Sequence, residues 1–222
     1  QKVPSFISKV IQVHETQLVR HGMMVVGETG SGKSTNMKIL AEALTKLHSD
    51  GVVDRDDFYK TVDRLILNPK AIAAGELYGE FNLMTNEWKD GIVPKLVRDC
   101  VNALNEGIEN RKWIIFDGPV DAVWIENMNT VLDDNKKLCL VSGEIIALTA
   151  QMRMMFEVED LAVASPATVS RCGMVYMEPG ALGNDVLIKS WLNTCPPTFK
   201  LRKNLMPTLE SFFKKYMDPM LS

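Results

Sequence analysis

The sequence predicts a doubly wound α/β domain built around a mainly parallel sheet, and three observations carry that prediction. The first is Gly27-Glu28-Thr29-Gly30-Ser31-Gly32-Lys33-Ser34, which fits the phosphate-binding pattern G-x-x-x-x-G-K-[ST] with a strand before it and a helix after it. The second is the all-apolar run Trp113-Ile114-Ile115-Phe116 closed by Asp117. Such a run, without alternation, belongs to a strand buried on both faces, as in a parallel sheet covered by helices. The third is the alternation of strand-like and helical stretches across residues 1–180.

Residues 1–21 lead into the phosphate loop, and Ile7, Val10, Ile11 and Val13 predict a helix there. Two roles are open to that leader: covering the base of a nucleotide, or packing on the sheet. Met23 to Val26 is the first strand. Asn36 to Leu47 is the helix after the loop, with Met37, Leu40, Ala41, Leu44 and Leu47 on one face. Between strand and helix, glycines let the backbone turn around a polyanion, and successive N–H groups form an inward-facing nest. The helix directs its positive end at the phosphates. The nucleotide-binding set is therefore Gly27, Glu28, Thr29, Gly30, Ser31, Gly32, Lys33, Ser34 and Thr35. Lys33 serves the terminal phosphates, and the Ser34 hydroxyl serves Mg²⁺.

Ser49 to Lys60, with Asp50, Asp54, Asp56 and Asp57, reads as a solvated surface connection rather than a metal site. Thr61 to Leu67 is the second strand, ended by Asn68-Pro69. Ala71 to Gly91 reads as an inserted hairpin or a long irregular loop. Asp90 is expected to cap a helix carrying Ile92, Val93, Leu96, Val97, Cys100, Val101 and Leu104, with Pro94 tolerated in its first turn. Asp117, at the carboxyl end of its strand, sits where open α/β sheets bind ligands and fits the Walker B position that helps hold Mg²⁺. Asp121 to Asp134 reads as helical, with Val123, Trp124, Met128, Val131 and Leu132 apolar. Leu138 to Leu148 reads as a hairpin turning through Ser142-Gly143-Glu144. Met152 to Val158 is another buried strand. Ser165-Pro166 caps and opens a short helix to Arg171. Gly173 to Met177 is the last strand, closed by Pro179-Gly180. Residues 181–222 add a helix around Ile188 to Leu192, a break at Pro196-Pro197, and an amphipathic stretch with Leu205, Leu209, Phe212, Phe213 and Tyr216.

The 222 residues suffice for a sizeable core, and a composition 46% hydrophobic and 24% charged is ordinary for a globular chain. A net charge of −3 without a basic block gives no support to a nucleic-acid partner. No apolar run has the length of a membrane span, so no membrane association is expected. Cys100, Cys139, Cys172 and Cys195 lack C-x-x-C spacing and read as buried thiols of a reducing compartment. The chain opens on Gln1 rather than Met and reads as a piece of something longer.

Lys112 to Lys136, centred on Phe116-Asp117-Gly118-Pro119-Val120-Asp121, resembles the dynein heavy chains, and so does Ala164 to Met174. Both resemble the second AAA+ module of the dynein motor ring, over most of residues 15–218. Pro119 and Tyr176-Met177-Glu178-Pro179 resemble axonemal more than cytoplasmic forms. The resemblance implies an AAA+ P-loop NTPase large subdomain over residues 1–180, with five parallel strands and helices on both faces. Residues 181–222 would begin a truncated helical small subdomain. The two hairpin-like stretches would be the module's insertions, which in dyneins contact the mechanical linker. It also implies ATP or ADP with Mg²⁺ held by Ser34 and Asp117, and neighbouring AAA+ modules and the linker as partners. Microtubules and the intermediate and light chains would be reached through the parent motor. The place would be the cytoplasmic cytoskeleton, in the axoneme of a cilium or flagellum.

Three positions bear on catalysis. Active AAA+ enzymes follow the Walker B Asp with a water-positioning Glu; here Gly118 stands there. Positioning and electrostatics supply nearly all catalysis of phosphoryl transfer, so this loss costs on the order of 10²-fold or more in rate. Binding with little or no hydrolysis is expected; the alternative is an active ATPase in which Asp121 or Glu126 substitutes. The polar sensor at the end of the fourth strand, usually Asn or Thr, is replaced nearby by Glu157 and Glu159, and a carboxylate facing a γ-phosphate is repulsive unless protonated or turned away. Arg171 falls where AAA+ proteins carry an arginine finger, which would serve the neighbouring first module. Its other reading is an arginine neutralising its own helix C-terminus. A small-molecule kinase would need a lid with an arginine cluster, and none follows the last helix. An empty scaffold is at odds with the intact loop and Asp117.

Overall fold

In the computed structural model, which describes residues 3–54, 57–178, 182–200 and 204–221, the leader is helix α1, Pro4–Val19. Then follow β1, Gly22–Val26, and α2, Lys33–Ser49. β2, Val62–Leu67, runs into a short 3-10 turn, Pro69–Ala71, whose Lys70 N–H donates to the Asn68 side chain. Helix α3, Ala74–Tyr78, and the hairpin β3, Gly79–Phe81, with β4, Trp88–Asp90, fill the stretch expected to be a hairpin or loop. α4 is Ile92–Asn105 and β5 Arg111–Asp117. Next come α5, Ala122–Glu126, α6, Asn129–Leu132, and the hairpin β6, Lys137–Cys139, with β7, Ile145–Ala147. β8, Met152–Val158, α7, Pro166–Arg171, and β9, Gly173–Tyr176, complete the sheet. Helices α8, Gly183–Thr194, α9, Pro197–Lys200, and α10, Leu205–Leu221, follow.

The five long strands are all parallel, in the order β2-β5-β8-β1-β9. Their two faces are sorted residue by residue, as a period of two demands. Met23, Val25, Trp113, Ile115 and Met155 face α1 and α2, with Val10, Val13, Met37, Leu40 and Leu44. Met24, Val26, Ile114, Phe116, Met154 and Phe156 face the other way, toward Val93, Val97, Trp124, Ile125 and Met128. Trp113, Ile114, Ile115 and Phe116 are all essentially inaccessible. Burying each contributes about 2 kcal/mol, so the β5 core anchors the sheet. The rings of Phe116, Phe156 and Trp124 stack at 5.1–5.9 Å, directly beneath the carboxyl ends of β5 and β8.

Several expectations need correction. Asp90 caps nothing: Gly91 is the N-cap of α4, without a side-chain cap, and Asp90 is taken by Arg98 at 2.5 and 2.7 Å. Asp121 to Asp134 is two short helices. The break falls at Met128, whose N–H bonds Ile125 O rather than the Trp124 carbonyl, and that carbonyl accepts from the Tyr78 hydroxyl at 2.5 Å. Of the cysteines only Cys100 and Cys172 are buried; Cys139 is exposed and Cys195 half-buried, and all four are free thiols. The connection before β2 is not wholly solvated, because Phe58 is buried beside Arg111. Asp56 and the closure at Pro179-Gly180 lie outside the described residues. Among the described residues, no helix is long and apolar enough to cross a membrane.

Candidate nucleotide site

The connection after β1 runs to α2 on one face, and the connection after β8 runs to α7 toward the other. The crevice between the carboxyl ends of β1 and β8 is therefore a switch point, where open α/β sheets bind ligands. Gly27 continues β1 into the loop, and a β-carbon there would lie 2.5 Å from the Met177 carbonyl, which leaves room only for glycine. Gly32, at φ 90°, is the left-handed N-cap of α2. The helix starts at Lys33, earlier than its apolar face suggests, which brings its N-terminal amides into the loop.

Lys33 Nζ donates to the carbonyls of Gly27 at 2.5 Å and Glu28 at 2.9 Å, so the ammonium is held at the rim of the loop. Ser34 Oγ donates to Glu157 Oε2 at 2.5 Å. Asp117 and Glu157 are partners in the β5–β8 register and their side chains share one side of the sheet. Glu157 is only 4% exposed. Burial pushes its carboxyl above the usual range, and Asp117 adds to the rise; the Ser34 hydrogen bond and the charges of Lys33 and Arg64 oppose it.

These groups line a cleft of about 620 Å³. Its polar floor is Thr29, Gly30, Gly32, Lys33, Ser34, Thr35, Asp117 and Glu157; its apolar wall is Val3 and Phe6 of the leader, Ile39, and Leu182, Val186 and Leu187. A polar floor with the Lys33 ammonium and the N-terminal amides of α2, below an apolar wall, suits a ligand with a polyanionic and a planar apolar end. Of the roles left open for α1, packing on the sheet is seen at Val10 and Val13, while Val3 and Phe6 enter the cleft wall. Ser31 is buried, and its hydroxyl finds no hydrogen-bond partner among the described residues. Gly27, Glu28 and Ser31 shape the loop rather than line the cleft.

The family model "AAA domain (dynein-related subfamily)" matches residues 22–172, which include β1, the loop, β5 and β8. A second, "Hydrolytic ATP binding site of dynein motor region", matches residues 1–34. Dynein axonemal heavy chain 1 of Rattus norvegicus is 56% identical over 216 residues, 97% of this chain. Dynein axonemal heavy chain 6 of Homo sapiens is 52% identical over 212 residues, 96% of the chain. Dynein axonemal heavy chain 3 of Mus musculus is 50% identical over 221 residues, all of it. The chain belongs to the dynein heavy-chain family. It spans about 5% of the length of each of these relatives, and its residues 22–172 form an AAA domain of the dynein-related subfamily.

AAA domains in general bind ATP or ADP with Mg²⁺, and the donor set of this dynein module fits the cation. The Ser34 hydroxyl and the carboxylates of Asp117 and Glu157 are hard oxygen donors meeting at one end of the cleft. When bound, the ion supplies positive charge to the phosphates. Where an active AAA+ dynein module would carry its water-positioning Glu, Gly118 presents only backbone, its N–H donating to Glu157 O at 3.3 Å. A β-carbon at Gly118 would approach Asn68 Oδ1 at 3.0 Å.

The candidate substitutes are not brought to the site. Asp121 lines a separate cavity with Pro69, Ile72 and Trp124, and Glu126 is exposed on α5; neither lines the cleft. Arg171 ends α7, where it ion-pairs with Asp133 through Nε and donates to the Ala167 carbonyl at 2.9 Å. It thus closes the C-terminus of its own helix, whose N-terminus is closed by Ser165 accepting from Thr168 N–H. Sequence reasoning missed the cleft wall of α8 and the bond from Ser34 to Glu157. The latter had a signal, an acidic residue ending an apolar strand, but its meaning depends on β8 lying between β1 and β5.

Proposed function

We propose that this dynein module holds Mg²⁺ with ATP or ADP and hydrolyses it little or not at all, acting as a holding site within the motor ring. The observation that carries this reading is Gly118: the position after Asp117 has no side chain, and the carboxylates lining the cleft are Asp117 and Glu157 alone among the described residues. Neither follows Asp117 in the strand, and Glu157 is already engaged by Ser34. The reading of an active ATPase through Asp121 or Glu126 is disfavoured by their places outside the cleft. A bound nucleotide stabilises the module by linkage, in proportion to RT ln(1 + [L]/Kd).

In this reading residues 1–180 form the large subdomain and 181–222 begin the small helical one. The module is the second of the ring, its hairpins meet the linker, and its neighbours are the adjoining modules of the same heavy chain. Through the parent motor it serves microtubules, together with intermediate and light chains, in the axoneme of a cilium or flagellum; the relatives' printed names, axonemal dynein heavy chains, support that place. Arg171 acts as the arginine finger of the first module, exchanging Asp133 for a phosphate oxygen, one charge-assisted hydrogen bond for another. The experiment is Arg171→Ala in the full motor. Hydrolysis at the first module falls by at least about 10²-fold while nucleotide stays bound at this one. Unchanged turnover would remove the finger from the account.

A further inference from the structure

We propose that Glu157 is a second carboxylate of the cation position, which orients the Ser34 hydroxyl and adds its own charge, so that this site holds a divalent cation more tightly than Asp117 and Ser34 alone would. The inference rests on the nucleotide-binding reading and concerns the cation end of that same cleft.

Two independent features place it there. The first is the hydrogen bond: Ser34 Oγ donates to Glu157 Oε2 at 2.5 Å. A hydroxyl has one proton and two lone pairs. With the proton committed to Glu157, the lone pairs are fixed in direction and free for a cation. Outer partners that fix a ligand's orientation in this way govern metal affinity. The second is the register: Glu157 on β8 stands opposite Asp117 on β5. Adjacent strands lie about 4.8 Å apart, so two carboxylates converge on one cation-sized space.

The position is also rigid, and the charges of Lys33 and Arg64 act on it without a direct ion pair. Phe156, one residue before, is locked in the stack with Phe116 and Trp124, and the Glu157 carbonyl accepts from Gly118 N–H at 3.3 Å. Glu157 is 4% exposed, and no lysine or arginine among the described residues forms an ion pair with it. A carboxylate so buried is costly unless a positive charge answers it. Mg²⁺ is commonly held by one or two carboxylates together with phosphate oxygens and water. No group of three His, Cys, Asp or Glu able to hold a metal exists among the described residues, so the cation binds only together with nucleotide phosphates.

The test is Mn²⁺ affinity of the ADP-loaded protein, read by electron paramagnetic resonance, alongside ADP affinity in EDTA. Glu157→Gln keeps the shape and an acceptor for Ser34 but loses the charge; it weakens Mn²⁺ about 10-fold, within the range seen for outer-shell partners. Metal-free ADP affinity is not weakened in Glu157→Gln, because no attraction to phosphate is removed. Glu157→Asp keeps the charge and retains Mn²⁺ affinity closer to wild type than Glu157→Gln does, which separates the role from mere packing. Mn²⁺ affinity within twofold of wild type in Glu157→Gln overturns the proposal while leaving the nucleotide-binding reading intact. A wild-type protein that binds no ADP under either condition overturns both.

Discussion

The cleft and the two hairpins are unfinished in opposite senses. In the cleft polar groups gather in a concavity: Ser34, Asp117 and Glu157 lie at one end, and Lys33 donates to the loop carbonyls of Gly27 and Glu28. At the hairpins Asp90 and Glu144 are paired within the chain, while apolar turn residues face outward. Arg98 of α4 grips Asp90 of the first hairpin at 2.5 and 2.7 Å and Glu144 of the second at 3.0 and 3.2 Å, tying the two insertions to one helix. Their turns meanwhile leave Leu83, Met84 and Val141 exposed. A concentration of polar groups in a concavity is completed by a small charged ligand; projecting apolar turns are completed by a protein surface. Under the proposed function the difference gives one module two kinds of interface, a nucleotide seat at the carboxyl ends of the strands and a macromolecular contact on the hairpins.

The largest effect that sharpens the contrast belongs to Lys33→Ala. Removing the cation that faces the phosphates lowers nucleotide affinity by about 100-fold or more, roughly 2.7 kcal/mol, in equilibrium titration. Hydrogen exchange at β3–β4 and β6–β7 stays as it was; joint loosening of the hairpins would break the separation of the two regions.

A second measurement asks whether both regions hang on the same sheet. His21, just before β1, is buried with both ring nitrogens unpartnered among the described residues. Burial first, then the charges of Arg153 and Lys136, pushes its pKa down to about 3. The unfolded chain takes up a proton near pH 6.5 and the folded one does not. Stability is therefore complete above about pH 6.5 and falls as pH drops toward 3, by at most about 1.4 kcal/mol per pH unit. Urea unfolding at pH 5 shows a loss of about 2 kcal/mol relative to pH 7 from this group. His21→Gln flattens that slope; an unaltered slope contradicts the assignment.

The smallest effect comes from Arg98→Ala. The ion triad is part-exposed and screened, so global stability falls by no more than about 1 kcal/mol. Local exchange in both hairpins rises together, and high salt imitates the substitution in the wild type. Faster exchange in one hairpin alone would show that Arg98 does not join them.

Much of this was legible in the sequence wherever the signal is local. The end of β5 at Asp117 and the β8 bounds, Met152–Val158, follow from apolar runs, although β5 starts two residues earlier, at Arg111; the Ser165 cap follows from a serine before a proline. The phosphate loop is legible because its glycines answer to backbone geometry that few residues share. What was not legible turned on distant competitors. Asp90 suits a helix start, but the Arg98 guanidinium outcompetes the backbone for it. The helical stretch expected through Asp134 breaks beside a carbonyl that Tyr78, far back in the chain, bonds. Glu157 reads as a repulsive misfit until the strand order sets it beside Asp117 and Ser34, where a cation would turn the misfit into a ligand set.

The central claim, a seat that holds nucleotide without consuming it, is tested most directly by single-turnover hydrolysis of Mg·ATP on the wild-type protein beside Gly118→Glu. The account predicts bound ATP that persists on the wild type, with the glutamate variant on the order of 10²-fold faster. Wild-type hydrolysis at about 1 s⁻¹ or more, within the ordinary range for enzymes, would contradict it.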